Sequence, residues 1–280
     1  MAGLLGMLTN NDPINMSNNP HSLKDKHALI TGAGSGIGRA TAVVMAERGA
    51  KVALLGRTRD ELEETLNLLG GTEAGHLTLE ADIAAEVLMI EAYKVVAREW
   101  DHLDIVVANA GINGVWAPLD RIRVQEWDET LEINLRGTFL TVKEALPLLK
   151  KRGGSVVVVS SINGTRIFSN SGATAYACSK AAQVAFTKMV ALELAKDRIR
   201  VNVVCPGAIE TNIDDSTERR DLEGLHLPVE FPEGDVPLTG GGPGEAEQVA
   251  ELITFLASDA AALITGTEVY IEGAQSLLQG

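Results

Sequence analysis

Short apolar runs rich in Val, Ile and Leu recur along the chain, separated by longer stretches with helical periodicity. Most of these runs are almost continuously apolar, which is typical of strands buried on both faces of a sheet. The pattern therefore predicts seven strands, at HALI (27–30), KVALL (51–55), HLTL (76–79), DIVVA (104–108), SVVVVS (155–160), RVNVV (200–204) and EVYI (268–271).

The stretches between these runs predict the helices. Their periodicity indicates helices over 39–48, 60–69, 86–100, 127–151 and 175–195, the fourth of them interrupted by Pro147. Alternating strands and helices predict a parallel sheet with right-handed crossovers and helices on both faces. The predicted fold class is therefore α/β, with one doubly wound domain and a seven-stranded parallel sheet over residues 24–280.

Two segments fall outside this alternation. Residues 1–23 are rich in Asn, Ser and Pro and lack the basic start and apolar core of a secretory signal, so we expect a flexible tail. Residues 211–244 are polar, acidic and rich in Gly and Pro. Because this second segment follows a predicted strand, at the edge where open α/β sheets bind ligands, we interpret it as a substrate lid.

Charge and composition narrow the possible functions. A formal net charge of −14 argues against a nucleic-acid partner, because phosphate binding needs a basic surface. No apolar run approaches the length of a membrane span. The two cysteines and five histidines lack the spacing of a metal site, so no metal is predicted, and reduced thiols favour a cytoplasmic location.

A glycine-rich loop follows the first predicted strand. It reads TGAGSGIG (31–38) and opens a helix, whose unpaired N–H groups can bind a pyrophosphate that Gly32, Gly36 and Gly38 allow to approach. The loop is not a strict GxGxxG, since Ile37 stands where the third glycine would fall. Taken alone, the loop is equally compatible with a structural turn.

The spacing TGxxxGxG resembles that of the short-chain dehydrogenase/reductase family, and further motifs of that family follow in order. They are an acid in EADI (Asp82), the triplet Asn109-Ala110-Gly111, an asparagine in EINLRGTFL (Asn134), a serine ending the fifth strand (Ser161), YxxxK (Tyr176 and Lys180) and PGxxxT (Pro206, Gly207 and Thr211). The resemblance covers nearly all of the chain from residue 24 onward. It implies a Rossmann-like fold and hydride transfer between a nicotinamide cofactor and a substrate.

The resemblance also implies roles for individual residues. It assigns catalysis to Asn134, Ser161, Tyr176 and Lys180. It assigns cofactor binding to the glycine loop, to the ends of the following strands and to the PGxxxT segment, namely Gly32, Ser35, Gly36, Ile37, Gly38, Asp82, Ile83, Asn109, Ala110, Gly111, Tyr176, Lys180, Pro206, Gly207, Ile209 and Thr211.

The residues after the second strand bear on the choice of cofactor. An acid about 20 residues beyond the glycine loop binds the ribose 2′-hydroxyl of NAD(H), whereas an arginine there accommodates the 2′-phosphate of NADP(H). This chain reads Gly56-Arg57-Thr58-Arg59, with no carboxylate before Asp60. We therefore predict NADP(H), contacted by Arg57, with NAD(H) as the alternative if both arginines are solvated surface charges.

Helical geometry sorts the residues of YACSK (176–180). Residues four apart share a helix face, so Tyr176 and Lys180 form a pair, while Cys178 and Ser179 point elsewhere and are expected to serve packing. A nearby ammonium favours the phenolate, so we expect Lys180 to lower the pKa of Tyr176 and fit it for acid–base work.

The other catalytic assignments follow from the family resemblance. Ser161, in the pattern SxxG, is expected to donate a hydrogen bond to the substrate oxygen, although the loop from Ser161 to Tyr176 is about two residues longer than in the commonest members. Asn134 is expected to hold a water that relays protons from Lys180.

The substrate and the assembly are less determined. Within the family, the chain resembles members similar to 3-oxoacyl-carrier-protein reductases and to glucose dehydrogenases. The acidic charge disfavours an acidic carrier protein, although a local patch at 150–152 is basic, so we predict a small ketone or secondary alcohol. The alternatives are a 3-oxoacyl thioester reductase and a catalytically idle dinucleotide-binding regulator. Apolar residues around Phe186 and Val190, and the terminal SLLQG, predict a homotetramer, with a dimer next.

Overall fold

All seven apolar runs form strands of one parallel sheet. The computed structural model describes residues 19–225 and 236–279. Its strands are β1 (His27–Thr31), β2 (Lys51–Gly56), β3 (Leu77–Glu80), β4 (Ile105–Ala108), β5 (Gly114–Trp116), β6 (Gly154–Val159), β7 (Ile199–Pro206), β8 (Thr217–Arg219) and β9 (Glu268–Ile271). The main sheet has the order β3-β2-β1-β4-β6-β7-β9, and β5 pairs with β8 in a separate two-stranded ribbon. The predicted α/β fold with a seven-stranded parallel sheet is thus confirmed.

Helices cover both faces of the sheet. They are α1 (Gly36–Glu47), α2 (Arg59–Leu68), α3 (Glu86–Glu99), α4 (Val124–Leu131), α5 (Gly137–Leu149), α6 (Thr174–Ala195), α7 (Ala246–Ala257) and α8 (Gln275–Gln279). One core contains Met89, Leu140 and Val184, from α3, α5 and α6. The core on the other face contains Met45, Leu62 and Ile253, from α1, α2 and α7. The strands are apolar on both sides because both of their faces are covered.

The helix predicted over 127–151 is interrupted at a different place from the one predicted. Pro147 lies inside α5, in its last turn, and the helix continues through it although the missing N–H removes one i→i−4 hydrogen bond. The irregularity lies instead at Glu132–Arg136, a π-helical turn that joins α4 to α5. Such turns insert an extra residue and are frequent at functional sites. Asn134 lies at the middle of this one.

The domain begins earlier than the sequence predicted. Leu23 is fully buried and its backbone N–H donates to the Arg48 carbonyl at 2.9 Å, while the N–H of Ala260 donates to the Pro20 carbonyl at 3.1 Å. The residues from Pro20 to Leu23 are therefore part of the packed domain, which corrects the predicted boundary at residue 24. The rest of the predicted tail, 1–18, lies outside the described residues.

The described part of the predicted lid is tied to the domain next to β4. Strand β8 pairs with β5, which follows β4 in the chain. The Arg220 guanidinium donates to both carboxylate oxygens of Glu126, each at 2.8 Å, and together with Arg123 it holds the pKa of Glu126 far below its usual range. Residues 226–235 of the predicted lid lie outside the described residues.

The surface of α6 differs in detail from the prediction. Phe186 and Val190, which the sequence left in need of a partner, are half-buried against the core of the same chain. The exposed apolar side chains of this helix are Met189 and Leu192. None of the helices in the described part of the chain combines the length and hydrophobicity needed to cross a bilayer.

Two histidines that are distant in sequence meet at the edge where the strands begin. Ligand atoms of His27, His102 and Asp104 lie within 4.8 Å of one another, a proximity that sequence spacing did not reveal. Asp104 accepts the His27 backbone N–H at 2.9 Å, and the His27 ring stacks on Trp100 with ring centroids 4.6 Å apart. These contacts join β1 to the segment before β4, at the edge of the sheet opposite to the glycine loop.

Candidate active site

The carboxyl ends of β1 and β4 are joined through Thr31. Its hydroxyl oxygen accepts the backbone N–H groups of Asn109 at 3.0 Å and Ala110 at 3.1 Å, while the Asn109 amide donates to the Thr31 carbonyl at 3.0 Å. The sheet order reverses between these strands, which is where open α/β sheets form a ligand crevice. Thr31 opens the TGxxxGxG motif but was not among the predicted site residues, because the sequence does not show that its hydroxyl joins the two strands.

Two glycines of the loop are required by close approach of the backbone. Gly32 has φ +66°, and a Cβ there would lie 2.9 Å from the Asn109 amide nitrogen. A Cβ on Gly38 would lie 2.0 Å from the Gly32 carbonyl oxygen. Gly38 therefore allows α1 to pack on the loop rather than lining the crevice, which its spacing alone could not distinguish.

A cleft of about 270 Å³ lies beside this loop, and we call it the cofactor cleft. Its wall includes the N-terminus of α1, whose free N–H groups attract an anionic group. The glycine loop packs so closely on the neighbouring backbone that it has no room for side chains, which leaves its backbone N–H groups open to a pyrophosphate. The predicted cofactor residues that line it are Gly32, Ser35, Gly36, Ile37, Arg57, Asp82, Ile83, Asn109, Ala110, Gly111 and Thr211.

The two arginines after β2 have different environments. Arg59 is paired with Glu63, with Nε 2.8 Å from the carboxylate, and does not line the cleft. Arg57 is exposed, lines the cleft and makes no ion pair with any described residue. Glu61 also lines the cleft but lies against Gly34, where a Cβ would meet the Glu61 Cβ at 2.8 Å. Arg57 is thus the cation available to a ligand in this cleft.

A second cleft, of about 460 Å³, holds the predicted chemistry, and we call it the catalytic cleft. The two clefts form one continuous groove, because both are lined by Ile37, Asn109, Gly111, Thr211 and Ile213. Of the predicted residues, the catalytic cleft is lined by Ser161, Tyr176, Lys180, Pro206, Gly207 and Ile209. Residues predicted for cofactor and for catalysis therefore meet in one place.

Ser161 and Tyr176 both line the catalytic cleft, and the Ser161 hydroxyl favours the phenolate of Tyr176. The Ser161 oxygen accepts the Asn163 backbone N–H at 3.1 Å, which leaves its O–H to donate towards Tyr176. Burial raises the pKa of Tyr176 to about 12, and the bond from Ser161 only partly opposes it. The phenol is therefore a proton donor at neutral pH.

Lys180 is buried and lines the same cleft. Its ammonium donates to the Val159 carbonyl at 3.0 Å and lies 5.5 Å from the centroid of the Tyr176 ring. Burial lowers the pKa of Lys180 to about 8. The expected lowering of the Tyr176 pKa is not met in this structure, because desolvation of the phenol is the largest cause of its shift.

Asn134 is held from several sides. Its Oδ1 accepts the Ile112 backbone N–H at 2.8 Å, and its Nδ2 donates to the Ile112 carbonyl at 2.9 Å and to the Ser179 hydroxyl at 3.0 Å. Asn134 thus holds the segment after β4 against α6, a task that the sequence did not predict. The predicted water relay stays a prediction.

Two polar residues of α6 were missed or misjudged. Ser179, expected to serve packing, accepts from Asn134 and donates to the Tyr176 carbonyl at 2.7 Å. Gln183 was not considered, yet its buried amide donates to the Asn134 carbonyl and to the Thr138 hydroxyl, each at 2.8 Å. Neither has a sequence signal, because a polar residue on a helix is usually exposed.

The cysteines take no part in this arrangement. Cys178 was expected to serve packing. It is instead exposed, on the side of α6 away from Tyr176. Cys205 is buried at the end of β7, where burial raises its pKa to about 11 and so disfavours the thiolate.

Comparisons with known proteins agree with this geometry. The model of the short chain dehydrogenase family matches residues 26–221. The 3-oxoacyl-[acyl-carrier-protein] reductase of Thermotoga maritima is 35% identical over 252 residues, which cover 90% of this chain and 98% of that relative. A solved 3-ketoacyl-ACP reductase from Sinorhizobium meliloti 1021 is 57% identical, with a TM-score of 0.84 over 90% of this chain and 99% of that one. A 3-ketoacyl-(acyl-carrier-protein) reductase from Brucella melitensis, complexed with NADH, is 30% identical, with a TM-score of 0.80 over 91% of this chain and 100% of that one.

Proposed function

Because the chain belongs to the short-chain dehydrogenase family, we propose that it interconverts a ketone and a secondary alcohol on a small molecule, with Tyr176 as acid and base. The observation that carries this proposal is the meeting of Ser161, Tyr176 and Lys180 in a cleft continuous with the cofactor cleft. When bound, the nicotinamide supplies or takes up the hydride.

The residues of the catalytic cleft divide the remaining work. Tyr176 is protonated at neutral pH and donates its proton to the carbonyl oxygen during reduction. Ser161 donates a hydrogen bond to the same oxygen and holds it beside the phenol. Lys180, whose ammonium lies over the Tyr176 ring, stabilises the phenolate after the proton has left.

An idle dinucleotide-binding regulator is disfavoured by the cost of this arrangement. Burial of Lys180 lowers its pKa to about 8, so keeping its ammonium in the fold costs free energy at neutral pH. A protein that only binds a dinucleotide has no need of Ser161 and Tyr176 beside this ammonium.

The proposed function predicts the behaviour of Tyr176→Phe. This variant should lose at least about 100-fold in kcat over a panel of ketones, because it lacks the proton donor. Its cofactor affinity, measured by fluorescence titration, should stay close to that of the wild type. Tyr270→Phe, which removes a hydroxyl bonded to Glu268, is the matched control and should retain activity. Unchanged turnover in Tyr176→Phe would contradict the mechanism.

We further propose that NADP(H) is the preferred cofactor, bound through its 2′-phosphate by Arg57. A guanidinium free of ion pairs in the cofactor cleft suits a dianionic phosphate, with which it forms charge-assisted hydrogen bonds. NAD(H) is the alternative, supported by the NADH bound to the Brucella melitensis relative.

Arg57→Ala tests the cofactor preference. The ratio of kcat/KM with NADPH to that with NADH should fall by about 10- to 100-fold, the loss expected for a charged hydrogen bond. Arg59→Ala removes a cation that is already paired with Glu63 and should change the ratio by less than about threefold. A preference for NAD(H) in the wild type that survives in Arg57→Ala would refute the assignment.

We also propose a homotetramer, with a dimer as the alternative. Met189 and Leu192 on α6 are 75% and 83% exposed, and Leu277 on α8 is 75% exposed, so apolar surface remains on two sides of the chain. These two sides suit two separate interfaces of a symmetric assembly.

Light scattering at micromolar concentration should give four times the mass of one chain. Leu192→Glu should shift the protein to a smaller species, because it places a charge in one interface. Leu119→Glu alters a loop leucine that is also 75% exposed and should leave the mass unchanged. A monomeric wild type would exclude both assemblies.

A further inference from the structure

The charges of the catalytic cleft are unevenly distributed. The chain has 24 Lys and Arg residues, all in its described part, and Lys180 is the only one of them that lines this cleft. Its ammonium is buried and donates to the Val159 carbonyl. The other charged residues of the lining are Glu210 and Asp214, both exposed.

Neither carboxylate is neutralised by a described residue. Glu210 and Asp214 form no salt bridge in the described part of the chain, and Asp214 accepts only a long hydrogen bond, 3.5 Å, from the Asn113 amide. Burial is the main cause of the raised pKa of Tyr176, and the charge of Asp214 adds to it. The negative charge of Asp214 therefore disfavours ionisation of the Tyr176 hydroxyl.

The uncharged polar lining complements these carboxylates. Asn163 and Asn170 line the cleft near Ser161, and the Asn170 amide donates to the Asn163 oxygen at 2.7 Å, which leaves the Asn163 amide hydrogens facing other partners. Carboxylates accept hydrogen bonds and amides both donate and accept them, so the lining matches a ligand rich in hydroxyl groups.

The mouth of the cleft is also acidic. Residues 210–224 contain six acids and two arginines. Arg220 is bound to Glu126, and Arg219 lies 5.1 Å from the centroid of the Trp116 ring. The basic patch 150–152 lies just before β6 begins, at the opposite edge of the sheet, and two of its lysines are paired with Asp197 and Asp101. The acids of this segment therefore outnumber its cations, which disfavours an acidic carrier protein at the mouth.

On these grounds we propose that the catalytic cleft selects uncharged ketones and secondary alcohols that carry further hydroxyl groups, and discriminates against anions. The inference rests on the proposed function and specifies its substrate class. An anionic substrate would approach Asp214 and Glu210 with like charge, and the buried Lys180 is the only cation in the lining to offset the repulsion. A hydroxylated substrate instead gives each carboxylate a donor.

The charge part of the inference is tested with one ketone in two charge states. Methyl 3-oxobutanoate and the 3-oxobutanoate anion carry the same reacting carbonyl, so we expect kcat/KM to be at least about tenfold higher for the ester. Asp214→Asn should narrow this ratio by several-fold. Asp215→Asn removes an equally exposed neighbouring carboxylate that does not line the cleft and should leave the ratio unchanged.

The hydroxyl part is tested with butan-2-one and 3,4-dihydroxybutan-2-one. The dihydroxy ketone should have the higher kcat/KM, and Asp214→Asn should reduce this advantage. Circular dichroism and cofactor titration of each variant show whether it is folded. If Asp214→Asn is poorly folded, Glu210→Gln gives a second test, because it removes the other carboxylate of the lining.

The outcomes separate this inference from the proposed function. Two outcomes would overturn the inference and leave the function standing. One is Tyr176-dependent turnover that favours the anion, and the other is an ester-to-anion ratio of kcat/KM that is unchanged in both Asp214→Asn and Glu210→Gln. An equal or lower kcat/KM for the dihydroxy ketone would overturn the hydroxyl part. Absence of Tyr176-dependent turnover with every ketone, neutral or charged, would overturn the proposed function itself.

Discussion

The arrangement of the active site depends on one buried asparagine. The side chain of Asn134 is hydrogen-bonded to both backbone groups of Ile112, after β4, and to Ser179 on α6. The π-turn between α4 and α5 brings this amide inward, and Gln183 donates to the Asn134 carbonyl within that turn. The segment that lines the cofactor cleft and the helix that carries Tyr176 and Lys180 are thereby held together by a single residue.

Burial then determines what the catalytic groups can do. Tyr176 and Lys180 are both removed from water, which penalises the charged form of each. The phenol therefore stays protonated at neutral pH, while the pKa of the ammonium falls to about 8. A protonated phenol beside a hydrogen-bonding Ser161 suits proton donation to a carbonyl. The exposed carboxylates of Glu210 and Asp214 have a different proposed role, which is to discriminate between substrates by their charge.

The sequence was most informative where one physical demand acts on consecutive residues. Strands covered on both faces must be apolar throughout, so all seven were predicted, and the glycine loop and YxxxK reflect close backbone approach and helical spacing. The π-turn was not predicted, because the apolar periodicity continues across Glu132–Arg136 and the visible breaker, Pro147, lies within a helix that continues to Leu149.

The remaining differences arise from contacts that are distant in sequence. Leu23 belongs to the domain only because the chain returns to it at Arg48. Ser179 and Gln183 are polar helix residues whose partners lie more than 40 positions away, so their burial could not be read from local pattern. The same is true of the two arginines after β2, since only the structure distinguishes the paired Arg59 from the cleft-lining Arg57.

The central claim is that the hydrogen bonds around Asn134 position the catalytic residues. It is tested most directly by kcat and cofactor affinity of Gln183→Met, with Thr187→Val as control, since Thr187 is buried one turn further along α6 and its hydroxyl has no partner among the described residues. We predict that Gln183→Met keeps the cofactor affinity of the wild type and loses about tenfold in kcat, because it removes the buried hydrogen bonds to the Asn134 carbonyl and the Thr138 hydroxyl. Thr187→Val should retain its kcat. A Gln183→Met enzyme that is less stable but has the kcat of Thr187→Val would contradict the account.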